Sequence, residues 1–197
     1  QTENFTFEIP TNIAYTHAKV TDLKDVEKIS AGGSLPTGTN VNIAEHAVGF
    51  QPYSFWVFQQ LYNENGEAIP GAFVDRNADG VITNDDRYYK AVIPNWTFGF
   101  GINFTYKKWD FSSSFRGQFG GQIYNARKLT SGWANRAIPT NSSSLSNVLD
   151  FYNGEADIQF QNYNGNATFS DYFLEDATFL RCENIVIGYR FNKFYKN

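Results

Sequence analysis

The sequence predicts an all-β protein whose antiparallel strands form part of a large transmembrane β-barrel wall, with long extracellular loops. Three observations predict it: two adjoining runs of strict alternation, aromatic residues at the ends of both runs, and an unequal division of the connections. The runs are Trp96 to Tyr106 and Trp109 to Phe119, separated only by Lys107-Lys108. Period-two alternation over this length means a β-hairpin. Each run is close to the roughly 9–11 residues that a tilted membrane strand needs, and Trp and Tyr at the ends are what a bilayer interface favours.

Taken in chain order, residues 4–16 form the first expected strand. Phe5, Phe7, Ile9, Ile13 and Tyr15 share one parity, and Pro10 weakens the ladder. A charged connection follows from Thr21 to Ala44, in which 22–29 is expected as one short helix. A second strand region is expected at 50–62, with mixed faces. The polar connection 63–94 comes next, interrupted by Gly71-Ala-Phe-Val74.

In the hairpin, 96–106 and 109–119, two lysines in the turn place Tyr106 opposite Trp109, Phe104 opposite Phe111, Phe100 opposite Phe115 and Trp96 opposite Phe119. Ile102 then meets Ser113, and Phe98 covers Gly117. The other face pairs Thr105 with Asp110, Asn103 with Ser112, Gly99 with Arg116 and Thr97 with Gln118. One face is therefore aromatic and the other polar. A long connection, 125–176, rich in Asn, Ser and Gly, leads to a last strand at 179–191. There Ile185, Ile187, Tyr189 and Phe191 share a face. Lys107-Lys108 would lie on one side of the wall and the 63–94 and 125–176 loops on the other, as short turns and long loops divide in outer-membrane barrels. The 21–48 connection would fall on the short-turn side. About five strands cannot close a barrel, which needs about eight, so either partner chains complete it or this is part of a larger barrel.

Aromatic residues make up 18% of the 197, with 19 Phe and 12 Tyr. Mean hydropathy is nevertheless that of a water-soluble chain. A barrel reconciles the two, because only alternate residues of each strand meet lipid. A net charge of -4 gives no basic footprint for nucleic acid. One cysteine, Cys182, excludes an intrachain disulfide framework. His17 and His46 have no patterned Ser or Asp beside them, so no catalytic residues are assigned and no enzyme is expected.

Asp75-Arg-Asn-Ala-Asp-Gly-Val-Ile-Thr-Asn-Asp-Asp86 fits the twelve positions of an EF-hand-type calcium loop. Asp75, Asn77 and Asp79 would offer side-chain oxygens, Gly80 the sharp turn, Val81 a carbonyl and Asp86 the closing carboxylate, with Ile82 anchoring the loop. A structural Ca2+ is the expected cofactor; an ion-free Asx-rich turn is the alternative. Trp133, Tyr152, Tyr163 and Tyr172, in the second long loop, are candidate ligand contacts, able to stack on sugars or grip peptide side chains.

Gly71 to Arg87 with the following hairpin, Ser170-Asp-Tyr-Phe-Leu-Glu-Asp-Ala-Thr-Phe-Leu-Arg181 with Asn184 to Tyr189, and Tyr53 to Tyr62 resemble the SusC/RagA-like TonB-dependent transporters of the bacterial outer membrane. The resemblance covers the chain from about Asn4 onward. It implies a barrel of roughly 22 strands filled by a plug. It also implies a SusD-like lipoprotein lid, a TonB complex acting through the plug, oligosaccharide or oligopeptide substrates, and outer-membrane lipid around the wall. The plug has no counterpart in these residues, and the chain would be a late portion of the barrel, unable to transport alone. The alternative is a secreted, calcium-stabilised, carbohydrate-binding β-sandwich, in which a protein core rather than lipid would cover the aromatic face.

Overall fold

The computed structural model describes residues 5–31, 42–131 and 169–191. In chain order the strands are β1 (Phe5–Glu8), β2 (Thr11–Tyr15), β3 (Lys28–Ala31), β4 (Ala44–Ala47), β5 (Ser54–Val57), β6 (Gln60–Tyr62), β7 (Ala68–Phe73), β8 (Tyr88–Lys90), β9 (Trp96–Tyr106), β10 (Trp109–Phe119), β11 (Gln122–Tyr124), β12 (Leu174–Asp176) and β13 (Phe179–Tyr189). Among the described residues one short α-helix, α1, spans Ala126–Ser131. Among the described residues no helix is long and apolar enough to cross a membrane. The chain divides into two compact units, one of residues 1–17, 93–121 and 177–197, the other of 18–92 and 122–176.

The first unit is a single antiparallel sheet, in which β13, β10 and β9 lie side by side and β1 and β2 share the far edge of β9. β9 and β10 pair without slippage from Tyr106 with Trp109 to Trp96 with Phe119, the register that alternation alone predicts. Lys107 adopts φ 54° to close the turn. The expected strand 4–16 is broken at Pro10, which has no N–H to give the ladder, yet register is kept: Glu8 faces Asn103 and Thr11 faces Phe100. The Gly101 N–H donates to the Pro10 carbonyl across the break. A Cβ on Gly101 would lie 3.1 Å from the Pro10 ring, so glycine there lets the kinked strand approach.

β13 departs from simple alternation. Tyr189, Ile187 and Ile185 face Trp109, Phe111 and Ser113, but a bulge between Ser114 and Phe115 brings Cys182 opposite Phe115 and Leu180 opposite Gly117. The extra residue is Glu183. It reverses the parity, so Leu180 and Cys182 join Ile185 and Ile187 on the apolar face while Phe179 and Arg181 join the polar one.

The second unit holds a four-stranded antiparallel sheet, β3-β4-β5-β8, and the two-stranded ladders β6-β7 and β11-β12. Its core is built on Val57, Phe58, Phe73 and Phe173, each at most 6% exposed. The expected strand region 50–62 lies here, as β5 and β6, and not in the wall. The helix expected at 22–29 is absent: Lys24 takes φ 58° in a turn and Lys28–Ala31 pairs with β4. The Asp22 carboxylate accepts from the Lys24 N–H, an Asx turn that competes with helix at this point.

Candidate functional site

The sheet presents two chemically distinct surfaces. On one lie Phe7, Ile13, Trp96, Trp109, Phe119, Leu180, Ile185 and Ile187, all strongly exposed, with Ile13 at 69% and Ile187 at 68%. Rings on this face associate across strands: Phe100 with Phe115 at 4.8 Å and Phe104 with Phe111 at 4.9 Å. Tyr15 with Trp96 at one end, and Trp109 with Tyr189 at the other, form two aromatic rims. Trp96 and Tyr106 close an 11-residue strand, so the rims are about 34 Å apart along it at ~3.4 Å per residue, or about 26 Å vertically at a tilt of ~40°. That is the height of an outer-membrane apolar band. Ser113, a hydroxyl within this face, is 4% exposed and donates to the Ile102 carbonyl at 3.4 Å.

The opposite surface carries Asn12, Asn103, Thr105, Asp110, Ser112, Ser114, Arg116, Gln118 and Asn184. Arg116 sits opposite Arg181, and the bulged Glu183 binds the Arg116 guanidinium. Gln118 donates to the Ala177 carbonyl at 2.7 Å. The chain leaves this sheet toward both 18–92 and 122–176 from the same end, since Tyr15, Trp96 and Phe119 are aligned. The 21–48 connection therefore belongs to the long-loop end, contrary to the expectation from sequence, because β2 pairs directly with β9.

In the second unit, residues 75–86 form a turn organised by carboxylates. Asp75 accepts from the amides of Asp79 and Gly80, at 3.3 and 2.7 Å, and Asp79 from that of Val81 at 2.8 Å. Asn77 donates to Asp79 at 3.0 Å. Gly80 takes φ 83°, as the sharp turn requires. Asp86 is fully buried and accepts from the amides of Arg76, Asn77 and Thr83, the last closing a capping box on a 3-10 turn at Asn84–Asp86. Led by the Thr83 amide, these donors hold its carboxyl below the usual aspartate range despite burial. Among the described residues no three His, Cys, Asp or Glu side chains gather as a metal set. Ile82 does not anchor the loop; it is 38% exposed, and Asp86 is the buried point of attachment.

A polar clasp that sequence reasoning missed joins two distant segments of this unit. Phe58 and Ser170 form a parallel bridge, with Phe58 N–H donating to the Phe169 carbonyl at 2.7 Å and Asp171 N–H to that of Phe58 at 2.9 Å. Gln60, 3% exposed, donates its amide to the carbonyls of Leu61, Ile69 and Ala72 and accepts from the Ser170 hydroxyl at 2.9 Å. Asp171 accepts from the Gln60 N–H at 2.9 Å and from the Tyr88 hydroxyl at 2.6 Å. Burial first, and this bond second, push the Tyr88 phenol up. The hint in the sequence is the polar pair Gln59-Gln60 interrupting a mostly apolar run.

Arg87 lies among the rings of Phe169, Trp56 and Phe58, at 3.7, 4.6 and 4.6 Å. Burial lowers its pKa to about 10, opposed by Glu45, so it keeps its charge near neutrality. Tyr172 is half-buried; Lys128 lies 3.8 Å over its ring and Phe173 packs edge-on at 5.4 Å. Its ring is engaged within its own unit. Trp133, Tyr152 and Tyr163 lie outside the described residues.

No protein-family model matches the chain. Over 99% of its length it is 34% identical to the TonB-dependent receptor SusC of Bacteroides thetaiotaomicron. Over 96% it is 26% identical to a TonB-dependent receptor of Formosa agariphila. It covers 19% and 20% of these relatives, so it spans about a fifth of their length. Among solved structures it is similar to the RagAB peptide transporter, with a TM-score of 0.60 and 21% identity over 96% of the chain and 21% of that structure. It also resembles the RagAB peptide importer in its open-open state, with a TM-score of 0.58, 19% identity and 96% and 20% coverage. These two likenesses concern the fold.

Proposed function

Because the chain belongs to the SusC/RagA-like TonB-dependent receptors of the outer membrane, we propose that it is a wall segment of an importer of oligosaccharides or oligopeptides. In this reading a SusD-like surface lipoprotein covers the barrel and a TonB complex drives import through a plug. The wall is passive: it separates lipid from a polar lumen. No bond is made or broken, and no residue here is assigned to catalysis.

One observation carries the reading. Large apolar side chains on one face of the sheet are left exposed, Ile13 and Ile187 by more than two thirds. A β-sandwich would bury them against a second sheet, and the rim spacing fits a bilayer. Nitroxides placed by Ile187→Cys and Ser112→Cys in the parent receptor test it. The first should relax with membrane-dissolved oxygen and the second with a water-soluble nickel chelate; the reverse pattern, or equal access to nickel, defeats the lipid assignment.

Calcium at Asp75, Asn77, Asp79, Val81 and Asp86 is part of the same proposal, supported by the spacing and by the sharp turn at Gly80, which gathers the Asp75, Asn77 and Asp79 side chains. Backbone amides already occupy Asp86, so a bound ion would have to displace some of these donors. The expected result is a loop whose protease resistance rises with calcium and is indifferent to it after Asp75→Asn; no calcium effect on the unsubstituted receptor leaves the Asx turn alone. Ligand contact by Trp133, Tyr152, Tyr163 and Tyr172 is likewise proposed, although the Tyr172 ring is already packed by Lys128 and Phe173.

A further inference from the structure

The short-turn end of the sheet gathers cations beside its aromatic rim. Lys107 and Lys108 form the turn, and the Arg190 N–H donates to the Lys108 carbonyl at 2.8 Å, so three basic residues adjoin Tyr106, Trp109 and Tyr189. Arg190 is 70% exposed and stands 3.9 Å from Asp110; neither lysine makes an ion pair among the described residues. The Lys107 ammonium lies 5.2 Å from the Tyr106 ring. Among the described residues, three cations against one carboxylate leave an excess of two positive charges at this end. They sit where the apolar face stops.

We propose that this end binds the phosphate of an anionic phospholipid headgroup, with Lys107, Lys108 and Arg190 as its donors and the Tyr106, Trp109 and Tyr189 rim against the adjoining acyl chains. This rests on the lipid assignment of the apolar face. The physical grounds are charge complementarity and position. A basic side chain within a Debye length of an anionic surface is drawn to it. Tyr and Trp hold the headgroup level, and the turn is pinned to β13 through the Arg190 amide. A soluble phosphate would satisfy the same cations but would make no use of the rings.

The test is native mass spectrometry of the full receptor in non-ionic detergent, titrated with phosphatidylglycerol, phosphatidylcholine or glycerol 3-phosphate. The Lys107→Gln/Lys108→Gln receptor should bind phosphatidylglycerol at least about tenfold more weakly, with phosphatidylcholine unchanged, and Lys107→Arg/Lys108→Arg should retain binding. Equal phosphatidylglycerol affinity in the Gln receptor overturns the proposal, as does competition by glycerol 3-phosphate at the same concentration as the lipid. The nitroxide at Ile187→Cys separates the two readings. Lipid contact there with unchanged headgroup binding defeats only the headgroup site, whereas nickel access defeats the lipid assignment beneath it.

Discussion

Gly117 shows how closely one residue can be specified. A Cβ there would run into the Phe98 ring and come within 2.6 Å of the Phe179 carbonyl, so the ring of one strand and the backbone of another both occupy the space a side chain needs. Alternation alone places Phe98 opposite Gly117; that the third strand also presses on it is visible only in the assembled sheet. Gly117→Ala is expected to cost about 1–3 kcal/mol, the range for overpacking, read as a lower unfolding temperature of the parent receptor in detergent. Pairing it with Phe98→Leu should recover only part, because the Phe179 carbonyl does not move. Full recovery would mean that the ring was the sole obstacle. Asp86 is the contrasting case. Its place at the twelfth position of a calcium-like loop was legible, but its burial and its three amide donors were not, since they depend on how the turn closes.

At the level of elements, the bulge in β13 decides which side chains face lipid. Unbroken alternation from Ile185 backward would put Glu183 and Arg181 on the apolar face. The extra residue moves Leu180 and Cys182 there and leaves Glu183 bound to Arg116. Deleting Glu183 removes the bulge yet keeps every other residue on its face, whereas deleting Val186 throws Ile187 and Tyr189 onto the polar surface. The first deletion should give folded receptor in the outer membrane and the second should not, judged by heat-modifiable mobility on a gel. Equal yields would show that facing is not what the strand must preserve. The clasp of Gln60, Ser170, Asp171 and Tyr88 works at the same scale. It ties strand β6 to a segment 110 residues away, a separation over which no periodic signal extends.

For the molecule as a whole, the wall and the loop unit obey different rules. In the wall, apolar side chains point outward and polar ones toward what the barrel encloses; in the loop unit, Val57, Phe58, Phe73 and Phe173 are buried in the usual way. An arginine should therefore be costly on one face only. Ile185 is paired with Ser113, which faces Ile102, near the middle of the band. Ile185→Arg is expected to cost about 2–4 kcal/mol and Tyr189→Arg, at the rim, about 0–1, with Asn184→Arg on the polar face tolerated. Equilibrium unfolding of the receptor in lipid would measure all three. A penalty at Asn184 equal to that at Ile185 would remove the distinction between lumen and lipid.

The sequence by itself determined the all-β class, the hairpin with its complete register, and the two chemically opposed faces, because the pleat of a strand turns alternation directly into sides. The motifs at 53–62, 71–87 and 170–189 also carried the family. Tertiary structure decided the rest: that 50–62 belongs to the loop unit, that 22–29 is no helix, that the 21–48 connection belongs to the long-loop end, and that Glu183 shifts the phase of β13. Each of these depends on which segments pair across the chain. Pairing partners are chosen by contacts formed only on folding, and no local period records them.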